Sequence, residues 1–120
     1  MEEIWKPIKG FEGYYEISSH GRVKSLERTI IRKDGIFHRR KERILTNVEN
    51  QKTHYIQVML ICHKRYKLFY IHRLVGQAFV ENPNNYKIIT HLDGDLNNNN
   101  ADNLRWVSRS SNENKRLNLI

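Results

Sequence analysis

The stretch from Thr90 to Asn114, THLDGDLNNNNADNLRWVSRSSNEN, holds one histidine, three aspartates and seven asparagines. His91 is the only imidazole in it; Asn103 follows by 12 residues and Asn112 by 21. A neutral imidazole titrates near neutral pH and suits removal of a proton from water. Hydroxyl, amide and carboxylate oxygens are the hard donors that Mg2+ accepts, with water filling the rest of its shell. Asn and Asp at this density bond to their own backbone and favour turns over helix or strand. The stretch therefore reads as a shaped loop around His91.

Other chemistries fail on the residues. DGDLNNNNADNL begins like a calcium loop, with Asp93, Asp95 and Asn97 at the first, third and fifth positions. Asn98 then stands where glycine is required, and Leu104 where the bidentate glutamate belongs. The single cysteine, Cys62, excludes an internal disulfide and every multi-cysteine zinc site, and in YIQVMLIC it reads as a small core hydrophobe. No GxxxxGK[ST] phosphate loop occurs.

The elements that must carry His91 can be read from periodicity. YYEIS and GRVKSL predict two strands joined at Ser19-His20-Gly21, with Val23 and Leu26 inward and Arg22, Lys24 and Arg28 outward. In RTIIRKDGIFHRRKERIL, Asp34-Gly35 predicts a type I′ hairpin turn. The flanking strands bear Arg32, Lys33, Arg39, Arg40, Lys41 and Arg43, a basic ribbon suited to a duplex groove or backbone. Two apolar runs around HKRYK predict a second hairpin. From Ile71 the pattern turns helical through Leu74, Val75, Ala78 and Phe79, and ENPNN ends it. His72 falls on the buried side of that helix, with a structural hydrogen-bonding role expected. IITH is a strand ending at His91, NLRWVS returns, and a short final helix is capped by Ser110 with Glu113 three residues on. Trp106 and Val107 are expected to pack this hairpin against the final helix.

A chain of 120 residues suits one thin-cored α+β domain, with mean hydropathy −0.74. Its formal charge of +8 and pI near 9.8 mark a phosphate-binding surface. No charged-then-apolar leader opens the chain and no apolar run approaches ~18 residues, so a cytoplasmic protein with no membrane partner is expected.

The segment HRLVGQAFVENPNNYKIITHLDGDLNNNNADNLRWVSRSSNEN resembles the HNH nucleases, a branch of the ββα-metal or His-Me finger endonucleases. It is most similar to the phage and intron homing type, whose pattern runs HRLVAxAF, NHxDG, NN, NLxWV and a final EN. IWKPIKGFEGYYEISSHGRVKSL is similar to the motif that commonly precedes such domains in phage proteins. The resemblance implies an amino-terminal antiparallel sheet with hairpins over residues 1–50 and an HNH core over 51–120, forming one compact unit.

It also implies roles. His91 is the general base, and Asn103 is the middle residue of the triad, which holds the loop and orients His91 or the substrate. Asn112, or Asn114 in another helix register, is a ligand to one divalent metal, Mg2+ or Mn2+. The family places Asp or Asn immediately before the base; here Thr90 stands there as a weaker donor, with Asp93 able to compensate. Double-stranded DNA is the implied partner, with Arg22, Lys24, Arg32, Lys33, Arg39, Arg40, Lys41, Arg43, Lys64, Arg65, Arg109 and Lys115 as its contacts. Specificity then depends on the amino-terminal sheet, the basic hairpin or a homodimer.

Three readings follow. The first is a metal-dependent DNA endonuclease acting on phage or host DNA in the host cytoplasm. The second, favoured by Thr90, is a DNA-binding protein of the same fold with weak or no cleavage. The third, a structural protein with an Asn-rich loop, leaves the spacing of His91, Asn103 and Asn112 to coincidence.

Overall fold

The structure is a computed structural model that describes residues 2–62 and 65–109. Its amino-terminal part is an antiparallel sheet of β1 (Trp5–Pro7), β2 (Tyr15–Ser18), β3 (Val23–Ser25) and β6 (Arg43–Ile44), in the order β1-β2-β3-β6. Alternation sends Tyr15, Ile17 and Val23 into the core, with Ile17 directly opposite Val23. Leu26 is half-buried, beyond the end of β3.

Two strands, β4 (Arg28–Ile31) and β5 (Phe37–Arg40), form a separate ribbon, and every residue from 31 to 44 is exposed. Its turn differs from the expected type I′. Gly35 has φ +82° but Asp34 does not have positive φ, and the Gly35 amide donates to the Arg32 carbonyl. The turn is therefore a type I turn closed by a left-handed glycine, the three-residue hairpin form. Asp34 favours it because its carboxylate accepts the Ile36 amide at 3.0 Å.

A third sheet comprises β7 (Val48–Glu49), β8 (Ile56–Cys62) and β9 (Arg65–Tyr70). Cys62 pairs with Arg65, Ile61 with Tyr66 and Leu60 with Lys67. Three residues of the expected HKRYK turn, Arg65, Tyr66 and Lys67, are thus strand, and His63 and Lys64 lie outside the described residues. β7 lies before residue 50 and pairs with β8 after it, so one sheet crosses the division between the two expected segments.

Helix α1 (Ile71–Phe79) follows β9 directly. It buries Ile71, Leu74 and Val75 against both halves of the chain. The last two strands, β10 (Ile88–His91) and β11 (Leu104–Val107), pair antiparallel, with Ile89 opposite Trp106 and His91 opposite Leu104. This hairpin lies tight on α1 because position 76 lacks a side chain: a Cβ there would meet Ile89 Cδ1 at 2.3 Å. The Trp106 indole N–H donates to the Gly76 carbonyl at 3.3 Å. Trp106 therefore packs on α1; the final helix expected to pack against it, with Ser110 and Glu113, lies outside the described residues. Among those residues no helix is long and apolar enough to cross a membrane.

Candidate active site and nucleic-acid interface

Strand alternation along β10 turns Ile89 and His91 inward, and His91 is 5% exposed. Its ring lies 5.3 Å from that of His72 and 6.2 Å from that of Tyr55 at an interplanar angle of 24°. His91 Nε2 is 2.7 Å from Asn99 Oδ1. The Asn99 amide is oriented by its other end, where Nδ2 donates to the Leu96 carbonyl at 3.3 Å. Since Oδ1 can only accept, the neutral imidazole carries its proton on Nε2 and leaves Nδ1 as the basic nitrogen. Burial makes this bond count, because water competes for it weakly.

Asparagine and aspartate side chains shape the loop after β10. Asn103 is buried, accepts the Asp93 amide at 3.1 Å, and donates to the Asp93 carboxylate at 2.9 Å and to the Asn98 carbonyl at 2.8 Å. Among the described residues its side-chain hydrogen bonds go to the loop, whereas the amide hydrogen-bonded to the imidazole is that of Asn99. Asp93 Oδ1 accepts the Asp95 amide at 2.8 Å as well as Asn103, and Oδ2 accepts Asn98 Nδ2 at 2.9 Å. Asn98, then the Asp95 amide and Asn103, hold the Asp93 carboxyl below its ordinary pKa. Both carboxylate oxygens are thus engaged in shaping the loop.

His72 sits under the site on α1. Burial, then the neighbouring His91 and Arg73, lower its pKa from 6.5 to about 4, so it is neutral at pH 7. Among the described residues its ring contacts are Tyr55, Tyr70 and His91, an aromatic setting rather than the expected hydrogen-bonded one.

Thr90 faces the opposite side of β10 from His91. It is half-buried, lines a cavity of about 310 Å³ with Tyr86, Leu92 and Ser108, and pairs across the strands with Arg105. A threonine hydroxyl fits a hard divalent cation in kind, but it is neutral and the guanidinium lies across the hairpin. Asn112, the other expected donor, lies outside the described residues. Among those residues no group of three His, Cys, Asp or Glu side chains converges.

The basic candidates fall into distinct groups. Arg32 and Lys33 form the ribbon turn; Arg40 flanks Arg32 on one face of the ribbon, and Lys41 and Arg43 continue at its base. Arg39 is ion-paired with Glu27 and Arg22 with Glu3, whose carboxyl is lowered to about 2 chiefly by that arginine. Lys24 rests over the Trp5 ring at 4.1 Å. Arg65 is exposed on β9, Arg109 follows β11, and Lys64 and Lys115 lie outside the described residues.

Residues 3–61 match the NUMOD4 motif, and residues 69–114 match the HNH endonuclease family. DNA endonuclease I-HmuI of Bacillus phage SP01 is 33% identical over 108 residues, 90% of this chain and 54% of that protein. Two uncharacterized HNH endonucleases of Acanthamoeba polyphaga mimivirus are also similar. One is 36% identical over 92% of this chain and 25% of its own length. The other is 31% identical over 95% of this chain and 30% of its own length. The chain thus spans about half the length of the phage relative and less of the viral ones. A solved structure described as DNA binding and cleavage by the HNH homing endonuclease I-HmuI superposes with a TM-score of 0.78 at 33% identity, covering 98% of this chain and 59% of that one.

Proposed function

The chain belongs to the HNH endonucleases, with a NUMOD4 motif ahead of the HNH segment, and on that premise we propose that it hydrolyses phosphodiester bonds in double-stranded DNA. The observation that carries this reading is the 2.7 Å contact between His91 Nε2 and Asn99 Oδ1. In the neutral ring it puts the proton on Nε2, so that Nδ1 is the nitrogen with a lone pair to accept a proton from an attacking water. Asn103 keeps the loop in shape behind the base, and the neutral His72 adds no charge beside it. The enclosing rings of Tyr55 and His72 limit the orientations open to His91.

One divalent metal ion, Mg2+ or Mn2+, is proposed with Thr90 and Asn112 as its protein oxygens in a completed ββα motif. Bound there it would offset charge on the phosphate and the leaving oxygen. The basic ribbon and β3 hold the DNA backbone through Arg32, Lys33, Arg40, Lys41 and Arg43, with Lys24 beside them. Cleavage of both strands at one site would need a second protomer, so nicking is the expected product of a monomer.

Conversion of supercoiled plasmid tests the proposal, with Mg2+ or Mn2+ and with EDTA, for the full chain and His91→Ala. Open-circle product that requires both metal and His91 is the expected outcome. Thr90 opposite Arg105 favours a second reading, DNA binding with little cleavage. Plasmid that stays supercoiled while a salt-sensitive gel shift reports binding would establish that reading instead.

A further inference from the structure

We propose that the turn Ser18–Arg22 of the amino-terminal motif is a positioning element for the base, holding Asn99 against His91 through Gly21 and the Ser19 carbonyl. The inference rests on the reading of His91 as the base. It concerns contacts within the protein, so it assigns the motif a task separate from holding DNA.

The turn is rigid. The Ser18 hydroxyl accepts the amides of His20 at 3.1 Å and Arg22 at 3.0 Å, and the Gly21 amide donates to the Ser18 carbonyl at 3.0 Å. Ser18 and Ser19 are both buried, and Ser19 is anchored to Ile4 through its hydroxyl and its backbone amide. The Asn47 side-chain amide donates to the Gly21 carbonyl at 2.9 Å. Polar contacts of this kind leave the turn little freedom to drift.

The turn meets the HNH loop at two points. The Ala101 amide donates to the Ser19 carbonyl at 2.8 Å. Gly21 has φ +87°, and a Cβ built on it would lie 3.0 Å from Asn99 Cβ, 3.3 Å from the Asn99 carbonyl oxygen and 3.3 Å from Ile71 Cγ2. Asn99 is therefore held between Gly21 on one side and the His91 ring on the other. A hydrogen bond weakens steeply as distance and angle depart from their optimum, so a displacement of a few tenths of an ångström at residue 99 is felt at Nε2. Gly13 provides a contrast: its φ is +85°, yet a Cβ there would meet nothing within 4 Å.

The test uses the full chain with ¹⁵N-labelled histidine, at a pH where the imidazoles are neutral. Long-range ¹H–¹⁵N spectra report which nitrogen of His91 carries the proton. The wild type is expected to show the single Nε2–H tautomer. Gly21→Asn, which tolerates positive φ but adds a Cβ, and Ala101→Pro, which removes the amide to Ser19, are expected to give mixed tautomers. Asn99→Ala sets the fully released reference. Gly13→Asn carries the same backbone strain and should keep the wild-type spectrum. Single-turnover cleavage is expected to fall at least tenfold for Gly21→Asn and Ala101→Pro, with DNA affinity within about twofold of wild type.

A locked Nε2–H tautomer in folded Gly21→Asn or folded Ala101→Pro would overturn the proposal, as would a mixed tautomer in the wild type. If Gly21→Asn does not fold, Ala101→Pro decides alone. A wild type that cleaves nothing, yet shows the locked tautomer that these variants release, would retire the endonuclease reading and leave the positioning role standing.

Discussion

At the scale of single residues, the orientation of one amide decides what His91 can do. Asn97, Asn98, Asn99 and Asn100 are identical in type, yet only Asn99 is buried, and only its oxygen faces the imidazole. The spacing of His91 and Asn103 was legible in the sequence because strand ends and turn chemistry are local. Asn99 was not, because choosing one of four adjacent amides requires the long-range contact with Gly21. Asn99→Ala should lower the cleavage rate about 10- to 100-fold, less than the ~10²- to 10⁴-fold loss typical of removing a general base, as in His91→Ala. Plasmid nicking time courses at saturating enzyme measure both; an Asn99→Ala rate equal to wild type would remove Asn99 from the site. Thr90 leads to a separate expectation. Replacing its neutral hydroxyl by a carboxylate, Thr90→Asp, should lower the Mg2+ concentration for half-maximal cleavage at least tenfold, because a charged oxygen draws the cation despite Arg105. A metal titration with unchanged midpoint would show that residue 90 is not a ligand.

At the scale of elements, α1 was the most legible part. Its apolar spacing predicted a start at Ile71, and the last helical residue, Phe79, precedes ENPNN. The ribbon turn was less legible because Asp-Gly serves both two- and three-residue hairpin loops. The Arg32 amide donates to the Ile36 carbonyl across the turn, which leaves Lys33, Asp34 and Gly35 as the loop and so selects the longer form. β7 escaped notice because two residues carry no periodicity. The helix also sets a pH dependence. His72 titrates at about 4 in the folded chain against an ordinary 6.5, so between those values the unfolded chain binds more protons. The contribution is full above pH 6.5, falls as pH drops toward 4 and is constant below it. It amounts to a loss on the order of 2 kcal/mol across that window after allowing for partial solvent screening. Urea melts at pH 7 and pH 5 should show a little over half of this loss in the wild type and a smaller one in His72→Phe. Equal pH dependence in the two proteins would mean that His72 is not buried as described.

At the scale of the whole molecule, a count of 21 lysines and arginines overstates the cations available to DNA, because among the described residues two of the predicted contacts are already paired. Arg22 is held by Glu3 and Arg39 by Glu27, while Arg32, Lys33 and Arg40 stand on an exposed ribbon. Composition reports the total but not the pairing, since Glu27 meets Arg39 only once the ribbon folds back on itself. Each phosphate neutralised by a cation releases counterions, so the slope of log affinity against log salt counts the contacts, at about 0.9 per phosphate on duplex DNA. Removing Arg32 and Lys33 together, as Arg32→Ala/Lys33→Ala, should therefore flatten the slope by about 2 and weaken binding alike on unrelated sequences. Glu27→Gln should act in the opposite sense: it frees the Arg39 guanidinium and should steepen the slope by up to about 1 while tightening binding at low salt. Fluorescence anisotropy on a short labelled duplex across 50–300 mM salt, roughly the range in which counterion release dominates, resolves both changes. If the double variant keeps the wild-type slope, the ribbon does not lie on the phosphates, and the backbone must be held by cations on β3 and β9 instead. If Glu27→Gln leaves the slope unchanged while the double variant flattens it, Arg39 faces away from the duplex. Only the ribbon face bearing Arg32 and Arg40 would then be the one that approaches DNA.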